Sequence, residues 1–446
     1  MAFSEEDKLV YGNRICSVGP GRLTGSDRVH DPSCIDLAMK LHYVKGLYFF
    51  SSHAAEGLTP ARLKETMFEW FCHEYYYTCG RLRKSESGRP YLKCNDCGVR
   101  FIEAQCDKTI DEWLELDKDC SLQRLLVSQQ VIGPELSFSP LVLIQVTYFK
   151  CGGISLGLSW AHILGDAFCA ADFMNKWGKI VAGLQSNKPN FLKSDTLTER
   201  SKDHPKPLPQ EPLSVKRIDS VGDHWIIPNN SKMATFSFQV TATQLANLQL
   251  EISGPNQIDQ IPIFESLCAI IWKSLAKVGG GTQPEAVTIC KNSPSKPAKR
   301  TVLNTQIMIS KVKAGSFSVT ETDPRKLATL LLNEAVDERS LIEELVEKDR
   351  GVSDFVVYGA KLTFVDLEEA DFYGLELNGD KPEVVHYSVQ GVGDEGAVFV
   401  LPGPKGSGIG KDGEEGRIVT IVLPEEQVLE LKAELINYGL GGHDLP

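Results

Sequence analysis

Leu141-Val142-Leu143-Ile144-Gln145-Val146-Thr147-Tyr148, the turn Lys150-Cys151-Gly152-Gly153, and Ile154 through Gly157-Leu158-Ser159-Trp160-Ala161-His162-Ile163-Leu164-Gly165-Asp166 form the stretch that decides the fold. The first run is apolar and rich in β-formers, and the pair of glycines suits a tight reversal. Ile154, Leu156, Leu158 and Trp160 then alternate as one face of a strand does. A hairpin is predicted, its second strand ending at His162. From about Ala167 the period changes: Ala170, Phe173, Trp177 and Ile180 recur every three or four residues, which predicts a helix. Strand, His, short turn, helix is the local order, and it places an imidazole at a rigid strand end.

Upstream, Leu63, Met67 and Trp70 predict an amphipathic helix over 62–79, stopped by Gly80. Its aromatics Trp70, Phe71, Tyr75, Tyr76 and Tyr77 read as core more readily than as a ligand-stacking wall. Between Asn187 and Ile218 the pattern gives way to Lys, Pro, Ser and Asp, including Pro205, Pro207, Pro209 and Pro212, which reads as a linker. Beyond it the sequence predicts a strand near Thr235 to Val240, a helix at Phe264 to Lys277 and a strand at Val287 to Cys290. A long charged helix follows from Pro324 to Arg350, its acidic stretch Glu334 to Glu347 forming a solvated face. A strand at Arg417 to Leu423 and a helix opened by Pro424, Glu425 and Glu426 and ended by Gly439 close the chain. The simplest α/β arrangement is a lobe over 1–186, a crossover linker over 187–218 and a second lobe over 219–446.

The 446 residues carry a formal charge of -12, and a net surplus of acid argues against nucleic acid as a partner. Twelve cysteines are too few for a disulfide framework. Met1 to Leu9 is polar and acidic and lacks the order of a secretory signal, which predicts a protein facing the cytosol. No window approaches the roughly 20 apolar residues of a bilayer span. The longest candidate, Pro140 to Phe149, holds Gln145 and Thr147.

His162 and Asp166 make H-x-x-x-D. A neutral imidazole is the side chain best suited to take a proton from a hydroxyl or amine near neutral pH, so His162 reads either as a general base or as a hydrogen-bonded structural residue. Asp166 immediately precedes a helix and reads as its N-cap, hence structural support. Cys94 and Cys97 form one C-x-x-C without a second pair of matching spacing, so no metal site is expected. The Gly-rich run Gly403 to Gly416 has Asp412 after Lys411, which departs from a phosphate-binding loop and reads as a connection between strands.

The block Gly157 to Asp166, followed by Gly379-Asp380-Lys381-Pro382 and Leu401-Pro402, resembles the plant BAHD acyltransferases over nearly the whole chain. The resemblance implies two chloramphenicol-acetyltransferase-like lobes, each a mixed sheet flanked by helices, joined by a long crossover loop with a solvent channel between them. It further implies that His162 activates an acceptor against an acyl-CoA thioester while Asp166 orients the loop through a structural ion pair. Several residues depart from the family pattern. Asp371-Phe372-Tyr373-Gly374-Leu375 stands where the family has D-F-G-W-G, which is expected to erode the lobe contact shaping the CoA entrance. Ala167 replaces the usual Gly, and the family's Arg-containing strand and Tyr-Phe-Gly-Asn segment are missing between Leu303 and Pro324. Residues binding CoA are therefore left unassigned, and no cofactor is expected.

Asp36-Leu37-Ala38-Met39-Lys40-Leu41-His42-Tyr43, Lys150 to Gly153, Ile218-Asp219-Ser220-Val221-Gly222 and Gly391-Val392-Gly393-Asp394 are similar to the Eceriferum and Glossy branch. That branch implies an accessory protein, itself a monomer, in very-long-chain fatty acid elongation for cuticular wax. The implied partner is a ketoacyl-CoA synthase at the cytosolic face of the endoplasmic reticulum, and the long acyl chain or acyl-CoA would lie in the interlobe channel. The alternative is an active acyl-CoA-dependent O- or N-acyltransferase using His162 as general base.

Overall fold

The hairpin is present: Val142–Phe149 pairs antiparallel with Ile154–Ala161, and Gly152 turns the chain at φ +83, a conformation glycine adopts without strain. The protein is described by a computed structural model over residues 8–25, 28–72, 75–117, 121–128, 138–184, 211–221, 227–253, 261–278, 284–292, 307–404 and 416–440.

A six-stranded mixed sheet runs in the order Val10–Val18, Val99–Cys106, Val142–Phe149, Ile154–Ala161, Tyr43–Phe50, Val384–Gln390. Tyr43–Phe50 and Ile154–Ala161 are buried along their whole length, because both faces of these inner strands are covered. The last strand, Val384–Gln390, comes from the second half of the chain and pairs antiparallel with Tyr43–Phe50 from Val384 opposite Phe49 to Gln390 opposite Tyr43. The sheets therefore do not follow the two halves of the sequence, since the second half lends a strand to the first sheet.

The second sheet has seven strands, in the order Met233–Val240, Arg417–Pro424, Ala397–Pro402, Leu362–Asp366, Ala286–Asn292, Ile307–Lys313, Val336–Asp337. Along Ala397–Pro402, Ala397, Phe399 and Leu401 join the apolar cluster shared with the first sheet. Val398 and Val400 join a second cluster beneath helix Ile263–Val278. This two-residue alternation buries both faces of the sheet and aims one of them at the junction between lobes.

Two predicted helices are placed differently. The helix expected over 62–79 spans Pro60–Trp70, capped by the Thr59 hydroxyl, and Tyr76–Cys79 forms a separate short 3-10 turn. Trp70, Phe71, Tyr75, Tyr76 and Tyr77 are all buried, and a continuous helix would have aimed three consecutive tyrosines around its circumference. The long helix expected from Pro324 to Arg350 is two, Pro324–Asn333 and Arg339–Lys348, interrupted where Val336–Asp337 pairs with Ser310 and Lys311. Its acidic stretch is not uniformly solvated: Glu338 is fully buried, 2.7 Å from Lys311 Nζ, and accepts the backbone N–H groups of Leu213 and Ser214.

The linker predicted over 187–218 lies outside the described residues as far as 210, and its end is ordered, Lys216–Ile218 pairing with Asp354–Val356. Of the Gly-rich run, residues 405–415 lie outside the described residues; Gly403 N–H donates to Gly416 O, joining the ends of two antiparallel strands.

Candidate functional site

His162 sits one residue past the expected connection point: the strand ends at Ala161, and His162–Leu164 is a single 3-10 turn. Its position is fixed on three sides. His162 N–H donates to the His42 carbonyl at 2.9 Å, Gly165 N–H closes back on the His162 carbonyl at 3.0 Å, and the Trp160 indole donates to Gly165 O at 3.0 Å. The imidazole is fully buried, and Nε2 lies 2.9 Å from the Tyr358 hydroxyl of the opposite lobe. Burial lowers its pKa from 6.5 to about 4, so the ring is neutral at physiological pH.

Asp166 does what its position before the helix suggests. Its carboxylate accepts the Cys169 N–H at 3.0 Å and caps Ala167–Val181. Burial raises its pKa, and hydrogen bonds from Cys169 and Phe168 oppose that rise. The ion pair implied by the family resemblance is not seen among the described residues, where the carboxylate serves as the helix cap.

A narrow cavity opens beside the pair. Val44, Phe168 and Val389 of the first sheet and its helix face Cys290 and Phe399 of the second and Tyr358 of the segment leading into it, with Lys291, Asn292 and Asp366 also on the wall. Its empty space, open mouth included, is about 370 Å³. On the wall, Lys291 pairs with the buried Glu265 and stands 3.9 Å from Asp366. Burial, then the neighbouring Glu368 carboxylate, pushes the Asp366 pKa up to about 6.

Asp371-Phe372-Tyr373-Gly374-Leu375 packs against the first lobe without the family's Trp. Asn175 Nδ2 donates to Asp371 O at 2.8 Å, and the Phe372 ring lies 3.9 Å from that of Tyr387. Gly178 is needed there, because a Cβ would come within 2.7 Å of Leu375 Cδ1 and 2.9 Å of Glu376 O. Cys94 is buried and Cys97 exposed, and among the described residues no group of His, Cys, Asp and Glu is arranged to hold a metal.

Two site residues escaped the sequence reading. Tyr358 is 196 residues from His162 and has no spacing relation to it. His42 lies in a block already singled out, yet nothing in a lone His predicts that its Nε2 accepts Val357 N–H at 3.1 Å and sets the backbone next to Tyr358.

Residues 29–291 match the family described as the Transferase family. The chain is 44% identical to Protein ECERIFERUM 26-like of Arabidopsis thaliana over 97% of its own length and 96% of that protein. It is 39% identical to Protein ECERIFERUM 2 of the same plant over 97% and 99%. The chain belongs to the BAHD acyltransferase family, in its Eceriferum branch. Among solved structures, vinorine synthase aligns with a TM-score of 0.67 at 16% identity, covering 95% of this chain and 97% of that one. The F. graminearum TRI101 complex with coenzyme A and deoxynivalenol aligns at 0.64 and 15%, covering 91% and 97%. Both likenesses show the shared two-lobed acyltransferase fold, and the BAHD pattern H-x-x-x-D stands here at the lobe junction.

Proposed function

We propose that this BAHD-fold chain is an accessory protein in very-long-chain fatty acid elongation for cuticular wax, acting with a ketoacyl-CoA synthase at the cytosolic face of the endoplasmic reticulum. Relatives named ECERIFERUM over almost the full length support the wax-related role. The observation that favours the accessory reading over transfer chemistry is the complete burial of His162, whose Nε2 is already bonded to the Tyr358 hydroxyl.

In this reading the apolar junction shelters the distal end of a long alkyl chain, where each methylene removed from water contributes about 0.8 kcal/mol. The benefit accrues over the last few carbons, so the effect is on product length. Membrane proximity comes through the partner; among the described residues no helix is long and apolar enough to cross a bilayer.

The test is co-expression with a ketoacyl-CoA synthase, reading the chain-length distribution of the products. The accessory role requires longer products with the protein than without it, and identical distributions reject the role. The alternative, an acyl-CoA-dependent O- or N-acyltransferase, draws support from the retained His162 and its neutral ring. It requires ester or amide formation by the isolated chain from a long acyl-CoA.

A further inference from the structure

The Tyr358 hydroxyl stands at the one nitrogen of His162 that a general base would offer to an acceptor. The phenol is buried and its pKa is raised well above 10 by desolvation, so it keeps its proton. Inside a protein that proton must have an acceptor, and the hydroxyl's partner is His162 Nε2 at 2.9 Å. The hydrogen-bond network therefore assigns the phenol as donor and Nε2 as acceptor, with the imidazole proton on Nδ1. An acyl acceptor would have to donate its hydroxyl to the same nitrogen.

The ring is also fixed in place. It lies 4.9 Å from His42, 5.4 Å from His162 and 5.9 Å from Phe399, centroid to centroid. Val357 N–H is bound by His42, Gly393 N–H donates to the Tyr358 carbonyl at 2.9 Å, and a Cβ on Gly359 would come within 2.5 Å of Gly393. The backbone on either side is thus pinned, and the ring cannot leave by a simple swing of the chain.

We propose that Tyr358 is a resident occupant of the acceptor position, and that removing its ring exposes a site at His162 that takes a phenol or a small alcohol. The inference deepens the accessory reading and rests on it for the purpose of the seal; the seal itself rests on geometry. A tyrosine side chain is a phenol on a methylene, so its removal leaves a hole of matching shape. That hole borders Val44, Val389 and Phe399, with Lys291, Asn292 and Asp366 also on the cavity wall, and has the His162 Nε2 acceptor at one end.

The experiment uses the isolated full chain, with no condensing enzyme, so its outcome is separate from that of the elongation assay. Wild type, Tyr358→Phe and Tyr358→Ala are treated with diethylpyrocarbonate, and each histidine is followed by peptide mass mapping. Exposed His53 is the positive reference and buried His386 the negative one. His162 is expected to resist labelling in wild type and in Tyr358→Phe, which keeps the ring. In Tyr358→Ala labelling should rise on the order of tenfold or more. Added phenol should slow that labelling and raise the melting temperature of Tyr358→Ala while leaving wild type unmoved. Equal labelling of His162 in wild type and Tyr358→Ala overturns the proposal, as does a folded Tyr358→Ala whose His162 stays unlabelled or whose stability ignores phenol. If Tyr358→Ala does not fold, Tyr358→Leu, which keeps apolar volume without the ring, carries the same comparison.

Discussion

Lys40 and His162 both reach from the first lobe into one short segment of the second, meeting Asp354 and Tyr358, four positions apart. At the first contact everything is saturated. Lys40 Nζ lies 2.8 Å from Asp354 Oδ1 and 2.8 Å from Ser353 O, with Val352 O at 3.3 Å, while the other Asp354 oxygen accepts Val221 N–H at 2.9 Å. At the second, two neutral rings share one hydrogen bond beside a cavity. A buried ion pair with every site filled resists any displacement, because moving either partner strands a charge. A single neutral hydrogen bond contributes about 1 kcal/mol net and is the cheaper contact to exchange. The junction is thus held by a saturated charged contact at Asp354 and by a single neutral hydrogen bond at Tyr358.

Lys40→Ala is the harshest challenge to this contrast. It leaves the Asp354 carboxylate buried without its cation and should cost about 3 to 5 kcal/mol, read from the urea midpoint. A loss below about 1 kcal/mol would make the charged contact no firmer than the neutral one. Acidification tests the neutral side. Burial lowers His42 to about 3 and both His162 and His386 to about 4, from 6.5. Each is uncharged when folded and gains a proton when unfolded. The unfolded chain therefore binds more protons, and the stability these rings contribute is full above pH 6.5 and falls as pH drops toward 4. The expected slope is up to about 1.4 kcal/mol per pH unit for each ring, and a flat profile from pH 7 to 5 contradicts the burial of all three.

Smaller effects sharpen the picture. Asp166→Ala should lose about 1 kcal/mol and Asp166→Asn most of it less, since Asn still caps a helix; equal losses would instead point to an ionic role. Tyr358→Phe should lose about 1 kcal/mol or under, leaving packing intact.

The contrast also marks what the amino-acid sequence discloses. The hairpin, the helix from Ala167 and the cap at Asp166 are written in local period and in one residue's position before a helix, and all three appear in the structure. The break at Val336–Asp337 is not, because it follows from pairing with Ser310 and Lys311 of an earlier strand rather than from helix propensity. The lending of Val384–Gln390 to the first sheet and the meeting of His162 with Tyr358 are likewise products of topology. Half of the candidate site was legible, in His162 and Asp166; the half that seals it depends on chain crossing that no local pattern encodes.

The most direct measurement of whether this fold serves elongation without using its base is the co-expression assay repeated with His162→Ala, after confirming that the variant is folded and still bound to the ketoacyl-CoA synthase. The account predicts product lengths matching those made with the wild-type protein. Products shortened to the length made by the synthase alone would contradict it and assign His162 a chemical role.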